Sequence, residues 1–121
     1  MTSGVDTDTL AVACSAARAA DDKQGSDIRV FDVSEVLPIV GLFVVTSAGN
    51  PRLVRAIASE VEDRVRKDHR RSPVRTEGIA ESLWVLLDYG DVVVHIFVDE
   101  ARRFYEIERL YKDIVPAPWA K

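Results

Sequence analysis

Hydrophobic and polar positions along this chain fall into a short series of helix and strand patterns. After a small polar stretch from Met1 to Thr7, residues Leu10, Ala13, Cys14 and Ala17 stand at i, i+3, i+4 and i+7. That spacing predicts a first helix over about residues 8–20, begun by Asp8 or Thr9 and stopped near Gly25. Ile28-Arg29-Val30-Phe31-Asp32-Val33 alternates in part and is rich in strand formers, so it reads as a strand. Gly41-Leu42-Phe43-Val44-Val45-Thr46 is a continuous apolar run, suited to a central strand covered on both sides. Ser47-Ala48-Gly49-Asn50-Pro51 supplies a turn, an N-cap and a proline at the first helical position. The second helix runs from Pro51 to about Lys67, with Val54, Ile57, Ala58, Val61 and Val65 as its buried stripe. Glu60 with Arg64, Glu62 with Arg66 and Asp63 with Lys67 set acid four residues before base, the favourable order on a solvated helix face. Val74-Arg75-Thr76-Glu77 is polar enough for a sheet edge, and Gly78 ends it.

Two apolar runs, Leu83 to Leu87 and Val92 to Phe97, flank an Asp/Tyr/Gly/Asp segment, the composition of a β-hairpin with a tight turn. An even loop pairs Leu87 with Val92, Leu86 with Val93 and Trp84 with His95. One face then carries Leu83, Val85, Leu87, Val92, Val94 and Ile96, which is core. The other carries Trp84, Leu86, Asp88, Asp91, Val93, His95 and Phe97, a mixture built for contact. An odd loop with a bulge at Gly90 regroups the faces and sets Trp84 beside Val92 and Val94, and the even loop is preferred because it alone gives a uniformly aliphatic side. The rival reading packs Trp84 and Phe97 under a helix with His95 as a hydrogen-bonded bystander. After the hairpin, Asp99 caps a last helix with Phe104, Ile107, Leu110 and Tyr111 facing inward, up to about Lys112. The proline-broken segment from Val115 to Lys121 is extended. Together these elements predict an α/β fold: a single domain over residues 8–113, with a mixed sheet of about five strands and helices packed on its faces, a flexible N-terminus over 1–7 and an extended C-terminal tail over 114–121. The short link between the first two strands excludes a crossover helix, whereas the second helix is long enough to connect parallel strands.

Composition narrows the function. The 121 residues suit one domain, and 47% apolar with 30% charged residues is the balance of a globular protein. A net charge of −4 gives no general attraction to phosphate, so any RNA contact has to be local. The basic cluster of Arg64, Arg66, Lys67, His69, Arg70 and Arg71 complements the negative end of the second helix. It lacks interleaved aromatics, so a solvated face is favoured over a nucleic-acid patch. Cys14 is the single cysteine, which excludes an internal disulfide and suits a buried thiol. No apolar stretch is long enough to span a bilayer, so a cytoplasmic protein without a membrane partner is expected.

Candidate chemistry is sparse. Asp88 and Asp91 face each other across the even-loop turn, but His95 stands roughly 13 Å further along the strand, beyond the reach of one metal ion. No Gly-x-Ser-x-Gly elbow and no phosphate-binding loop is present. No catalytic residue, metal site or cofactor is expected, and the chain offers a binding face without a reaction. An exposed tryptophan with acidic groups close by is what a protein–protein hot spot requires.

Asp27-Ile28-x-Val30-x-Asp32-Val33, Phe43-Val44-Val45-Thr46-Ser47, Glu77-Gly78, the block from Trp84 to Phe97 and Arg103-Phe104-Tyr105 resemble the ribosomal silencing factor family, also called Iojap-like. The resemblance extends from about Leu10 to Asp113. It implies a nucleotidyltransferase-like fold and a translational repressor that is not an enzyme. Such a repressor binds ribosomal protein uL-fourteen on the large subunit and blocks joining of the small subunit, slowing translation under nutrient limitation or in stationary phase. The positions matching the family's motif are Trp84, Leu86, Leu87, Asp88, Tyr89, Gly90, Asp91, His95 and Phe97, with Trp84, Asp88 and Tyr89 expected to matter most. Arg64, Arg66, Lys67, Arg70 and Arg71 are candidates for a secondary contact with nearby ribosomal RNA. A homodimer of the free protein stays open, since an exposed aromatic face tends to find cover. Ser47-Ala48-Gly49-Asn50 departs from the family's Ser-Gly-Asn-Ser, Ser82 stands where glycine is frequent, and Tyr111 replaces a frequent tryptophan. The rivals are a nucleotidyltransferase-like enzyme and an RNA-binding ribosome-assembly factor. The first is disfavoured because the chain's Asp-x-Asp, Asp6-Thr7-Asp8, lies in the loose N-terminus and no Gly-Ser opens the second helix.

Overall fold

The structure is a computed structural model that describes residues 7–35, 37, 39–106, 116–117 and 119. In chain order the elements are α1 (Thr7–Asp22), β1 (Ser26–Asp32), β2 (Leu42–Ala48), α2 (Pro51–His69), β3 (Arg75–Glu77), β4 (Trp84–Asp88), β5 (Val92–Val98), α3 (Asp99–Tyr105) and β6 (Pro116–Ala117). The strands form one six-stranded sheet in the order β3-β4-β5-β2-β1-β6. β2 and β5 pair in parallel and the other neighbours are antiparallel, which makes the sheet mixed, as the pattern of elements predicts. β2 is buried along its whole length. α2 carries the chain across one face from β2 to β3 at the far edge. The sixth strand is the tail: Pro116 and Ala117 pair with Phe31 and Val30, and the Trp119 indole N–H donates to the Ile28 carbonyl at 3.2 Å.

α1 and α2 lie side by side over one face, where Val30, Leu42, Val44, Val85, Leu87, Val92, Val94 and Ile96 form a continuous aliphatic layer. α2 begins as read, with the Asn50 side chain accepting from the Leu53 N–H at 2.9 Å and Pro51 behind it, and it buries the predicted stripe. Glu60 and Arg64 pair at 2.9 Å, but Arg66 takes Asp63, three residues away, at 2.7 Å. α1 departs from expectation. Leu10 is 40% exposed and Cys14 is only partly buried, while Val12, Ala13, Ala16, Ala17, Ala19 and Ala20 face inward. Alanines on nearly every side leave the apolar stripe undefined, and contacts with both the sheet and α2 choose the rotation.

The hairpin keeps its predicted faces but not its predicted partners. Leu87 pairs with Val94, Leu86 with His95, Trp84 with Phe97 and Asp88 with Val93, each two residues beyond the expected partner. Tyr89 adds a rung by donating its N–H to the Val92 carbonyl at 2.8 Å, so the turn is reduced to Gly90-Asp91. Gly90 has φ +92°, the left-handed region where glycine is at ease. Moving the partner by two residues preserves the alternation, so the strand residues keep their sides, but Asp91, predicted on the Trp84 face, falls in the turn and faces the helices instead. Leu83, assigned to the aliphatic face, is instead 51% exposed just before the strand begins.

The opposite face is a smaller core of Phe31, Val33, Phe43, Val45, Val93 and Phe97, with Ala101 of α3 packed against it. α3 starts at Val98 without a side-chain cap and closes at Glu106 in the left-handed conformation, shorter than predicted. Phe104 points outward and is 79% exposed, contrary to the expected inward stripe. Buried Arg102 sets the rotation instead, donating to the Ser26 carbonyl and the Ser47 hydroxyl at 3.2 Å each. Ile107, Leu110 and Tyr111 lie outside the described residues.

Candidate functional site

The strongest local arrangement lies where β4 enters the sheet. Gly78 has φ +82°, and a Cβ there would fall 2.0 Å from the Trp84 carbonyl oxygen, so only glycine lets the preceding loop pass so close. Ser82 also has positive φ, at 57°. Its hydroxyl donates to the Ile79 carbonyl at 2.6 Å and accepts from Arg55 at 3.1 Å, local bonds that hold a serine in a conformation glycine adopts more easily. These two residues fix the approach to Trp84.

Trp84 is half-buried. Its ring stacks on Phe97 at 4.8 Å and meets Tyr105 of α3 at 4.8 Å, and Phe104 stands edge-on to Tyr105 at 5.0 Å. The indole N–H donates to Nδ1 of His95 at 3.2 Å. His95 itself is 4% exposed, and burial pulls its pKa down to about 4. Leu86 is half-buried on the same side. At the turn, Asp88 accepts the Gly90 N–H at 2.8 Å and an Arg75 N–H at 3.2 Å.

The predicted site residues therefore do not form one patch. Trp84 and Leu86 share the thinly covered face. Phe97 and His95 lie on that side but are sealed beneath it, so they support the surface rather than make it. Leu87 and Tyr89 are buried on the opposite side, under α1 and α2, where burial pushes the Tyr89 phenol up. Asp91 is also turned toward the helices. It accepts from Arg71 at 2.6 Å and from the Thr9 hydroxyl at 2.6 Å. Burial alone would raise its carboxyl, but the Arg71 and Thr9 hydrogen bonds prevail and hold it below the usual carboxylate range. The expected Asp88–Asp91 opposition across the turn is replaced by two carboxylates with separate partners, because the two-residue turn sends them to different sides of the sheet. Among the described residues, no three His, Cys, Asp or Glu side chains converge on a metal position.

The basic cluster is also largely engaged within the chain. Arg64 pairs with Asp22 and Glu60, Arg66 with Asp63, and Arg71 with Asp91 and the Tyr89 carbonyl. Lys67 and Arg70 remain exposed at the end of α2. Tyr105 and the outward Phe104 belong to the aromatic surface, although the sequence pattern does not place them there. The adjacent Phe104-Tyr105 pair was visible, but nothing in the helix pattern revealed that Arg102 would turn inward.

Comparison with known proteins agrees in sequence and in fold. A family model described as "Ribosomal silencing factor during starvation" matches residues 6–120. The chain is 36% identical over 98 residues to the ribosomal silencing factor RsfS of Bacillus subtilis, covering 81% of this chain and 82% of that one. It is 35% identical over 111 residues to the chloroplastic protein Iojap of Zea mays, covering 92% of this chain but 48% of that longer protein. A crystal structure of a Chromobacterium violaceum protein superposes with a TM-score of 0.82 at 29% identity, covering 93% of each chain. A family model matching nearly the whole chain and a relative at 36% identity over most of its own length agree, and the chain belongs to the ribosomal silencing factor family.

Proposed function

We propose that the chain is a translational repressor that seats the Trp84 side of its sheet on ribosomal protein uL-fourteen of the large ribosomal subunit, so that its bulk keeps the small subunit from joining. Family membership supports a ribosome-associated, translation-silencing role, and slowed translation under nutrient limitation is the circumstance that the family's name points to. The observation that carries the reading is the aromatic surface of half-buried Trp84 with Tyr105 and Phe104, 53% and 79% exposed. Large aromatic side chains left open to water are the groups that concentrate binding energy at protein interfaces. Asp88 is held by Arg75 in an exposed ion pair, which contributes little in water, so a cationic group of the partner can take the place of Arg75. Lys67 and Arg70 are the cations of the predicted RNA contact that stand exposed with no carboxylate paired to them among the described residues. Nothing in this mechanism turns over: occupancy of the surface is the effect.

Sedimentation of purified large and small subunits with wild-type protein and with Trp84→Ala tests the reading. Wild-type protein keeps the subunits apart. Trp84→Ala binds the large subunit roughly 30-fold more weakly, the consequence of losing a hot-spot side chain worth about 2 kcal/mol, and the subunits join. Equal inhibition of joining by the two proteins overturns the assignment.

A further inference from the structure

Beneath the indole lies a side chain that an apolar layer does not require. His95 sits on β5 between Val93 and Phe97 of the same face, with Phe43 meeting its ring edge-on at 4.6 Å. A neutral imidazole carries one donor and one acceptor. Its Nδ1 accepts the Trp84 N–H, so the ring's own proton is on Nε2, and that buried nitrogen has no hydrogen-bond acceptor among the described residues. Leucine or phenylalanine would fill the place without the costly unmatched Nε2 donor, but would leave the Trp84 indole N–H without its acceptor. The polar service that the ring performs in this layer is to receive the indole N–H.

That service decides what a partner meets. An indole is an apolar body with one polar edge, and here the polar edge is satisfied inside the chain while Phe97 and Tyr105 hold the ring. We propose that His95 is a positioning residue for docking: it holds the Trp84 indole in one orientation with its N–H turned inward, so that Trp84 enters its protein partner as an apolar knob and the partner's receiving site is an apolar socket without an acceptor for the indole. The proposal rests on the reading of the Trp84 face as the docking surface and specifies the chemistry of the other side.

The test combines NMR of the indole N–H groups with binding to purified large subunits. The chain has two tryptophans, and Trp119, bonded to the Ile28 carbonyl, serves as the internal reference. His95→Leu removes the acceptor at similar size, whereas His95→Asn retains one. In His95→Leu the Trp84 indole resonance moves and that of Trp119 stays, and binding weakens about three- to tenfold, the range expected when one large side chain must be ordered on docking. His95→Asn recovers most of both. Binding by folded His95→Leu equal to wild type, or no recovery in His95→Asn, overturns the proposal. Should His95→Leu fail to fold, the scalar coupling between Trp84 Nε1 and His95 Nδ1 in wild-type protein decides: it persists in the complex with isolated uL-fourteen, and its loss to an acceptor of the partner overturns the proposal. Trp84→Ala run beside these separates the two ideas. Wild-type affinity in Trp84→Ala removes the docking surface itself, whereas loss in Trp84→Ala with none in His95→Leu removes only the positioning role.

Discussion

The two faces of the β4–β5 hairpin are written in alternate residues of the same fourteen-residue stretch, and they do different work. Val85, Leu87, Val92, Val94 and Ile96 face α1 and α2 and are wholly buried. Trp84, Leu86, Val93, His95 and Phe97 face the other way, where α3 spans only seven residues and leaves the rim open. The aliphatic side buys stability through close packing beneath two helices. The aromatic side combines a sealed base with an exposed edge, which is the face proposed for docking. The proposed docking surface and the folding core are separated by one sheet's thickness, so neighbouring substitutions should divide cleanly between them.

The largest effect is expected from Leu87→Ala, on the helix side. It should cost about 2–5 kcal/mol of stability in denaturant unfolding, the range for a buried leucine, while the protein that remains folded binds large subunits normally. Next comes pH. Burial holds the His95 pKa at about 4, against about 6.5 in the unfolded chain, so below pH 6.5 the unfolded state takes up a proton that the native state refuses. Stability should therefore fall by about 3 kcal/mol as pH drops from 6.5 to 4, and His95→Leu should flatten that slope in unfolding curves measured across the range. The lowered Asp91 pKa acts separately, its stabilising contribution being lost at lower pH as the carboxyl protonates.

Leu86→Ala, one residue from Leu87 but on the other side, should cost only about 1 kcal/mol of stability and yet weaken subunit binding. The smallest effect is expected at the turn, where a double-mutant cycle on Arg71 and Asp91 should give a coupling of about 1 kcal/mol or less. Subunit binding should be unchanged by either substitution, because Asp91 faces the helices. Loss of binding in Asp91→Asn without loss of stability would return that carboxylate to the contact surface.

Much of this division is legible in the sequence, because strand alternation depends only on the parity of the turn. The partners are not, since a turn of four residues and one of two preserve the same faces. Tyr89 decides between them: it is buried as a strand residue opposite Val92, which leaves Gly90 and Asp91 to reverse the chain. The stripe of α2 is readable because charges surround its valines, whereas the alanines of α1 carry no such contrast. Phe104 misleads for the opposite reason. Its helix buries a guanidinium, Arg102, against a strand carbonyl and a serine hydroxyl, and no hydrophobic pattern announces a buried charge. The Asp91–Arg71 pair joins a turn to the end of a helix twenty residues earlier, a meeting that only the folded sheet arranges.

The most direct measurement places a photo-crosslinking amino acid either at Tyr105, on the aromatic rim, or at Lys67, on the outer side of α2, and irradiates each protein bound to large ribosomal subunits. A cross-link from position 105 to uL-fourteen is expected, and none to that protein from position 67. A cross-link to uL-fourteen from position 67 with none from 105 would contradict docking through the Trp84 face.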